Sequence, residues 1–336
     1  MEQVRIGIIG AGRIAQVMSD VYRQLPEVKL VAVADVVRAA AERLATRCEI
    51  PVIHENYADL LASDNVDAVL VCVPTHLHEE VVLAAAQAGK HIFCQKPMAL
   101  TVEQCVRMTE AAKAKDLVLQ VGFMLRFTPP FVEVKESIES GEIGDLIAIR
   151  SAVFGWLPND EWFYDPQRGG GVLIDTIIHS FDLFRWYAGD VETLFATGGA
   201  YVLDGAKKYN TPDNVMCSFW FKNKAMGSLY GTWTSGYGDK TLEVYGTNGS
   251  IFIDLMTKQG GNIFIKRGLT ERSRPSGWSN LGVLWRYGYQ GEAKQFVSCI
   301  LGKSPPRATG CDGIEAQKLA VLADRSIRTG ELERIS

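Results

Sequence analysis

Short apolar runs and helical repeats alternate along the first third of the chain. VRIGII opens the series, and Ile14, Met18, Val21 and Leu25 follow at helical spacing before the run KLVAVAD and the helical pattern of VRAAAERLATR. DAVLVCV, EEVVLAAAQAG, HIFC, a helix from Thr101 to Lys115 and LVLQVGF carry the same rhythm to Gly122. Near-continuous apolar strands joined through helices predict a parallel sheet covered on both faces.

The rhythm changes after Gly122. A helix is predicted around Phe131 to Glu139, then a turn at GEIGD, then the longer strands IAIRSAVFGW, ETLFATGGAYV, VMCSFWF, MGSLYGTWTS, LEVYG, SIFID and NIFIKRG. Only one helix, GGGVLIDTIIHSFDLFRW at 169–186, falls among them. Asn248-Gly249 signals a hairpin, and the KNK at 222–224 turns another pair, so a mostly antiparallel sheet is expected. GEAKQFVSCILG and DGIEAQKLAVLADRSI return to helical period and close the chain with two helices.

Composition narrows the function classes. The 336 residues are 47% hydrophobic and 22% charged, enough for two ordinary globular domains. A net charge of -4 and the lack of any basic block give a phosphate backbone nothing to bind, so nucleic acid is not an expected partner. No apolar run approaches membrane-spanning length and no leader pattern opens the chain, so a cytoplasmic protein without a membrane partner is expected. Seven scattered cysteines without a CxxC pair read as reduced and mostly buried.

Four stretches could carry chemistry. Gly10-Ala11-Gly12-Arg13-Ile14-Ala15 lies between the first strand and the first helix, where glycines let backbone approach a pyrophosphate and the helix N-terminus stabilises its charge. Asp35 ends the second strand, placed to accept the ribose hydroxyls of NAD, whereas Arg38 could meet the 2′-phosphate of NADP. NAD is therefore preferred, with NADP left open. Val73-Pro74-Thr75-His76-Leu77-His78 follows a strand at the carboxyl edge of the sheet; its two histidines lack zinc spacing, so the segment reads as a loop and no metal is expected. Lys96, just past HIFC and before Pro97, either donates a hydrogen bond to a substrate oxygen or is simply solvated at a strand end.

The fourth stretch poses a physical question. Asp175 and His179 lie at i and i+4 among Leu173, Ile174, Ile177, Ile178, Phe181, Leu183 and Phe184. Such a pair costs stability unless it is hydrogen-bonded or faces a cleft, and it either tunes a base or merely supports its helix. Upstream, residues 154–165 are rich in aromatics beside carboxylates, suited to a polyol or to an oligomer interface.

Taken with the GxGxxA turn, the Lys-Pro and the GGG-x-L-x-D-x-x-x-H helix, the sequence resembles the glucose-fructose oxidoreductase / inositol dehydrogenase / MocA family. GFMLRF at 122–127, IESGEIGD, YGTNGS and the terminal helices extend the resemblance over essentially the whole chain. It implies an α/β Rossmann domain at 1–122 and an α+β domain at 123–336 built on a mostly antiparallel open sheet, assembled as a homodimer or homotetramer. It further implies NAD(P)-dependent oxidation of a secondary alcohol on a sugar or cyclitol, with Lys96, Asp175 and His179 as the catalytic trio. Gly10, Gly12, Arg13, Ile14, Asp35, Arg38, Pro74, His78 and Gln95 then form the cofactor set, and Arg126, Trp156, Trp162 and Tyr164 the substrate wall. The family's Glu-Lys-Pro is here Gln95-Lys96-Pro97, which removes a negative charge beside the lysine. Two neighbouring activities share the resemblance: a glycosidase or lyase that oxidises transiently, and a non-catalytic dinucleotide-sensing regulator.

Overall fold

The computed structural model describes residues 3–155, 157–158, 160–235, 240–257, 260–267, 274–278 and 281–335, of which 256–257, 260–267, 274–278 and 281–284 are described by backbone only. The chain forms two compact units, Met1–Met124 with Gly288–Ile314 and Leu125–Tyr287 with Glu315–Ser336.

The first unit is built on the strands β1 (Val4–Ile9), β2 (Val28–Ala34), β3 (Val52–His54), β4 (Ala68–Val71), β5 (His91–Cys94) and β6 (Leu119–Val121). They pair in parallel in the order β3-β2-β1-β4-β5-β6. This is the doubly wound order whose direction reverses between β1 and β4, the place where such sheets bind ligands. The connections run through α1 (Arg13–Tyr22), α2 (Arg38–Cys48), α3 (Tyr57–Leu61), α4 (His78–Gln87) and α5 (Val102–Ala114). Thr101 starts α5 with a full capping box, its side chain accepting from the Gln104 amide while Gln104 accepts from Thr101 N.

The second unit opens with α6 (Pro129–Glu139) and β7 (Leu146–Phe154), then a π-helical turn at Leu173–Ile177 leading into α7 (Ile178–Ala188). β8 (Val191–Gly199), α8 (Asp204–Tyr209), β9 (Asn214–Phe221), β10 (Met226–Thr232), β11 (Lys240–Gly246), β12 (Gly249–Thr257), β13 (Gly260–Arg267) and β14 (Arg274–Trp278) follow. The sheet has nine strands in the order β14-β13-β12-β11-β7-β10-β9-β8-β15, closed by β15 (Glu333–Arg334). All pairings are antiparallel except β10 with β7. The hairpin expected at Asn248-Gly249 joins β11 to β12, with Tyr245 opposite Ser250. The KNK turn joins β9 to β10, with Lys224 at positive φ.

The first unit runs to Met124 and takes in Gly288–Ile314 as well. α9 (Leu281–Ile300) starts in the second unit, but Ala293, Phe296 and Val297 sit in the core with Ile6, Ile8 and Leu70. Residues 288–314 therefore belong with the first unit rather than with 123–336. α10 (Gly310–Thr329) carries the chain back to the second unit. No helix among the described residues is long and apolar enough to cross a membrane.

Candidate active site

The glycine turn lies between β1 and α1. Gly10 follows β1 with φ +95°, and a Cβ there would lie 2.6 Å from the Cys72 carbonyl oxygen, so only glycine lets the ends of β1 and β4 meet so closely. Gly12 caps α1 and is exposed with open space before it, as a pyrophosphate at the helix terminus needs; Arg13 is exposed and Ile14 half-buried behind it. Asp35 is anchored to this turn: Oδ2 accepts from Ala11 N at 2.6 Å and Oδ1 from Val37 N at 2.8 Å. Next to it Val36 is 89% and Val37 56% exposed, an apolar pair that an adenine could cover. The sequence reading did not single out these two valines, although two large apolar residues just past the acid that ends β2 were a usable signal.

Pro74 is extended and exposed after β4. His78 opens α4. Its ring is buried, with Nδ1 2.9 Å from the Pro97 carbonyl oxygen and 3.2 Å from that of Met98, and Nε2 2.9 Å from that of Val73. Burial pushes its pKa down, against the opposing pull of those carbonyls. His78 thus ties the loop after β4 to the turn after β5 and has no ring nitrogen left to offer a ligand. Lys96 is half-buried on that turn, joined to Pro97 by a cis peptide bond. Gln95 is buried, and its Nε2 has no protein partner among the described residues, which leaves a donor for a ligand.

In the second unit, the three glycines solve a packing problem. Gly170 and Gly171 have φ of +80° and +72°, and a Cβ on Gly170 would lie 2.7 Å from Ile174 Cβ. They deliver the chain into the π turn. Asp175 is buried within that turn and His179 half-buried on the first turn of α7. π turns recur at functional sites because the widened spacing re-aims side chains. Thr176 Oγ1 donates to Asp175 Oδ2 at 3.0 Å.

The four residues expected in the substrate wall differ in placement. Arg126 is buried and committed to Asp182, with Nε 2.9 Å from Oδ2 and Nη2 2.6 Å from Oδ1, while its guanidinium lies over Trp186. Tyr164 is core: its ring packs edge-on against Trp233 at 5.4 Å and its hydroxyl donates to the Pro158 carbonyl. Trp162 remains half-buried, stacked on Phe163 at 3.9 Å. Trp156 lies outside the described residues.

Known proteins carry the same two parts. Residues 4–123 match the model of an oxidoreductase family with an NAD-binding Rossmann fold, and residues 131–252 match the GFO/IDH/MocA C-terminal domain. The myo-inositol 2-dehydrogenase of Thermotoga maritima is 31% identical over 99% of both chains. The scyllo-inositol 2-dehydrogenase (NAD(+)) of Bacillus subtilis is 30% identical over 98% of this chain and 95% of its own. A solved "probable dehydrogenase" from Thermotoga maritima superposes with a TM-score of 0.86 at 30% identity, covering 98% of each chain. This chain belongs to the GFO/IDH/MocA oxidoreductase family.

As a member of that family it uses a nicotinamide dinucleotide, and its own residues favour NAD. Arg38, the residue that could have held a 2′-phosphate, pairs instead with Glu42 at 2.9 Å and Glu55 at 3.0 Å. With Asp35 at hand, a phosphate there would face three carboxylates around one guanidinium.

Proposed function

We propose that this oxidoreductase oxidises a secondary alcohol of a sugar or cyclitol with NAD, through Lys96, Asp175 and His179. The reading is carried by the Asp175–His179 pair, a carboxylate and an imidazole delivered from a break in helical geometry that an ordinary core helix has no use for. Gly10, Gly12, Asp35, Pro74 and Gln95 hold the dinucleotide, which when bound accepts the hydride leaving the carbinol carbon. His179 takes the hydroxyl proton as general base. Asp175 orients the substrate and supports the imidazolium that results. Lys96 donates to the oxygen, a preorganised donor at the atom whose charge changes. Trp162 offers an aromatic face to the ring of the substrate.

The assembly we infer is a homodimer or homotetramer joined through the open face of the nine-stranded sheet. All seven cysteines are unpaired and six of them buried, which suits the reducing cytoplasm.

Mixing the protein with NAD and a panel of cyclitols, aldoses, sugar acids and glycosides is expected to produce reduced-nicotinamide absorbance with a polyol. His179→Ala is expected to cut turnover by about a hundredfold to ten-thousandfold while the Kd for NAD stays within twofold. Equal losses in both would remove His179 from the chemistry. Cleavage of a glycoside with no net NADH would replace the dehydrogenase with transient-redox chemistry, and binding of NAD with no turnover at all would make the protein a sensor.

A further inference from the structure

The hydroxyl of Thr176 is used at both ends. Trp233 Nε1 donates to Thr176 Oγ1 at 2.7 Å, and Thr176 Oγ1 donates onward to Asp175 Oδ2 at 3.0 Å. An indole N–H can only donate and a carboxylate can only accept, so the direction of the chain is fixed and the single hydroxyl proton is committed to Asp175. Side chains of adjacent residues do not face each other on an α-helix; this contact is made within the π turn.

The relay is also sterically closed. Trp233 is 2% exposed and its ring is met edge-on by Tyr164. Gly155 lies so near that a Cβ would come within 2.7 Å of Trp233 Cδ1 and 3.0 Å of Thr176 Cγ2. The indole and the threonine methyl are held against the same glycine, so neither has room to turn away. Trp233 comes from the strand end after β10, 57 residues further along the chain than Thr176. The sheet is thereby tied to the π turn through one hydroxyl.

We propose that Thr176 and Trp233 are positioning residues for the reaction, a buried relay that holds the Asp175 carboxylate in one orientation toward the substrate. The proposal rests on the assignment of Asp175 made above. A charge-assisted hydrogen bond of this kind is lost with the hydroxyl and kept with any side chain that carries one.

The test compares Thr176→Val, which preserves shape and removes the hydroxyl, with Thr176→Ser, which keeps the hydroxyl in a smaller side chain. With a polyol that the wild type oxidises, Thr176→Val is expected to lower kcat by about tenfold to a hundredfold while the KM for NAD stays within about twofold, and Thr176→Ser to stay within about threefold of wild type in both. A second readout needs no turnover: the Trp233 indole N–H resonance of the 15N-labelled protein, assigned with Trp233→Phe. Asp175→Asn is expected to displace that resonance in the wild-type background and to leave it unmoved beside Thr176→Val. Equal kcat for the valine and serine variants, or the same displacement in both backgrounds, overturns the relay. If the wild type oxidises no polyol, the dehydrogenase reading fails, and the indole resonance alone decides whether Trp233 reports on Asp175 through Thr176.

Discussion

Asp35 is bonded to the turn it serves, and this sets how a change there would read. Its carboxylate accepts from Ala11 N and Val37 N, so removing the side chain would disturb the glycine turn itself. Asp35→Asn keeps an acceptor oxygen and removes the charge. A hydrogen bond to a charged group is worth about 1 kcal/mol more than one between neutral groups, so the preference for NAD over NADP is expected to narrow by roughly fivefold. Fluorescence titration with the two dinucleotides would measure it. An unchanged ratio of the two Kd values would mean that Glu42 and Glu55, through Arg38, carry the discrimination instead. The same scale shows what a sequence can and cannot deliver. The turn at Gly10 and Gly12 and the place of Asp35 at the end of β2 are legible as local geometry, because they depend on neighbours close along the chain and on the strand–turn–helix context. Arg126 and His78 are not, because what decides their roles lies far off: the carboxylate that engages Arg126 is 56 residues away, and the carbonyls of Pro97 and Met98 are 19 and 20 residues from His78.

At the scale of elements, amphipathic period identifies a helix but does not say which core it joins. α9 was readable as a helix, yet its apolar positions fit either unit, and only the structure shows Phe296 against Phe93 at 5.7 Å. The π turn was equally hidden, because one inserted residue leaves the apolar spacing of 173–184 almost unchanged. α8 and β3 escaped for a different reason: six and three residues are too few for a period to show. α9 also carries Glu292 into the first unit's core, fully buried, its carboxyl oxygens without protein partners among the described residues. Tyr22 and Cys72 face it there, and Gln120 donates to its backbone carbonyl at 2.9 Å. Burial pushes the Glu292 pKa well above its ordinary 4.5, because desolvation disfavours the charged form. Its contribution to stability is fully present below pH 4.5 and is lost as the pH climbs from there toward the folded pKa, by up to about 1.4 kcal/mol per pH unit. Glu292→Gln should flatten that slope. Between pH 5 and 8 the Tm of the variant is expected to fall less than that of the wild type; parallel pH profiles would mean that Glu292 does not titrate with folding.

On the scale of the whole molecule, the open face of the large sheet poses the remaining energetic problem. Direct pairing sets Trp220, Met226, Ala148 and Tyr245 side by side across β9, β10, β7 and β11, and the neighbouring row aligns Met216 with Tyr230 and Ala152. Paired residues share a face. Trp220, Met226, Tyr245 and Met216 are 45%, 50%, 42% and 61% exposed, an apolar area of a kind that monomeric proteins rarely leave to water. Between the two rows runs a polar one, with Arg150 3.5 Å from Glu243. A two-fold axis through that row would lay one copy's apolar rows on the other's and give the charged pair a partner of opposite sign, as a closed, self-complementary interface requires. Met226→Glu together with Trp220→Glu would place like charges on both sides of such an interface. Sedimentation at micromolar concentration is expected to show the wild type as a dimer or tetramer and the double variant as a smaller species, with the NAD affinity of the first unit unchanged. A wild type that sediments as a dimer or tetramer, with an unaltered coefficient in the double variant, would show that the copies associate elsewhere.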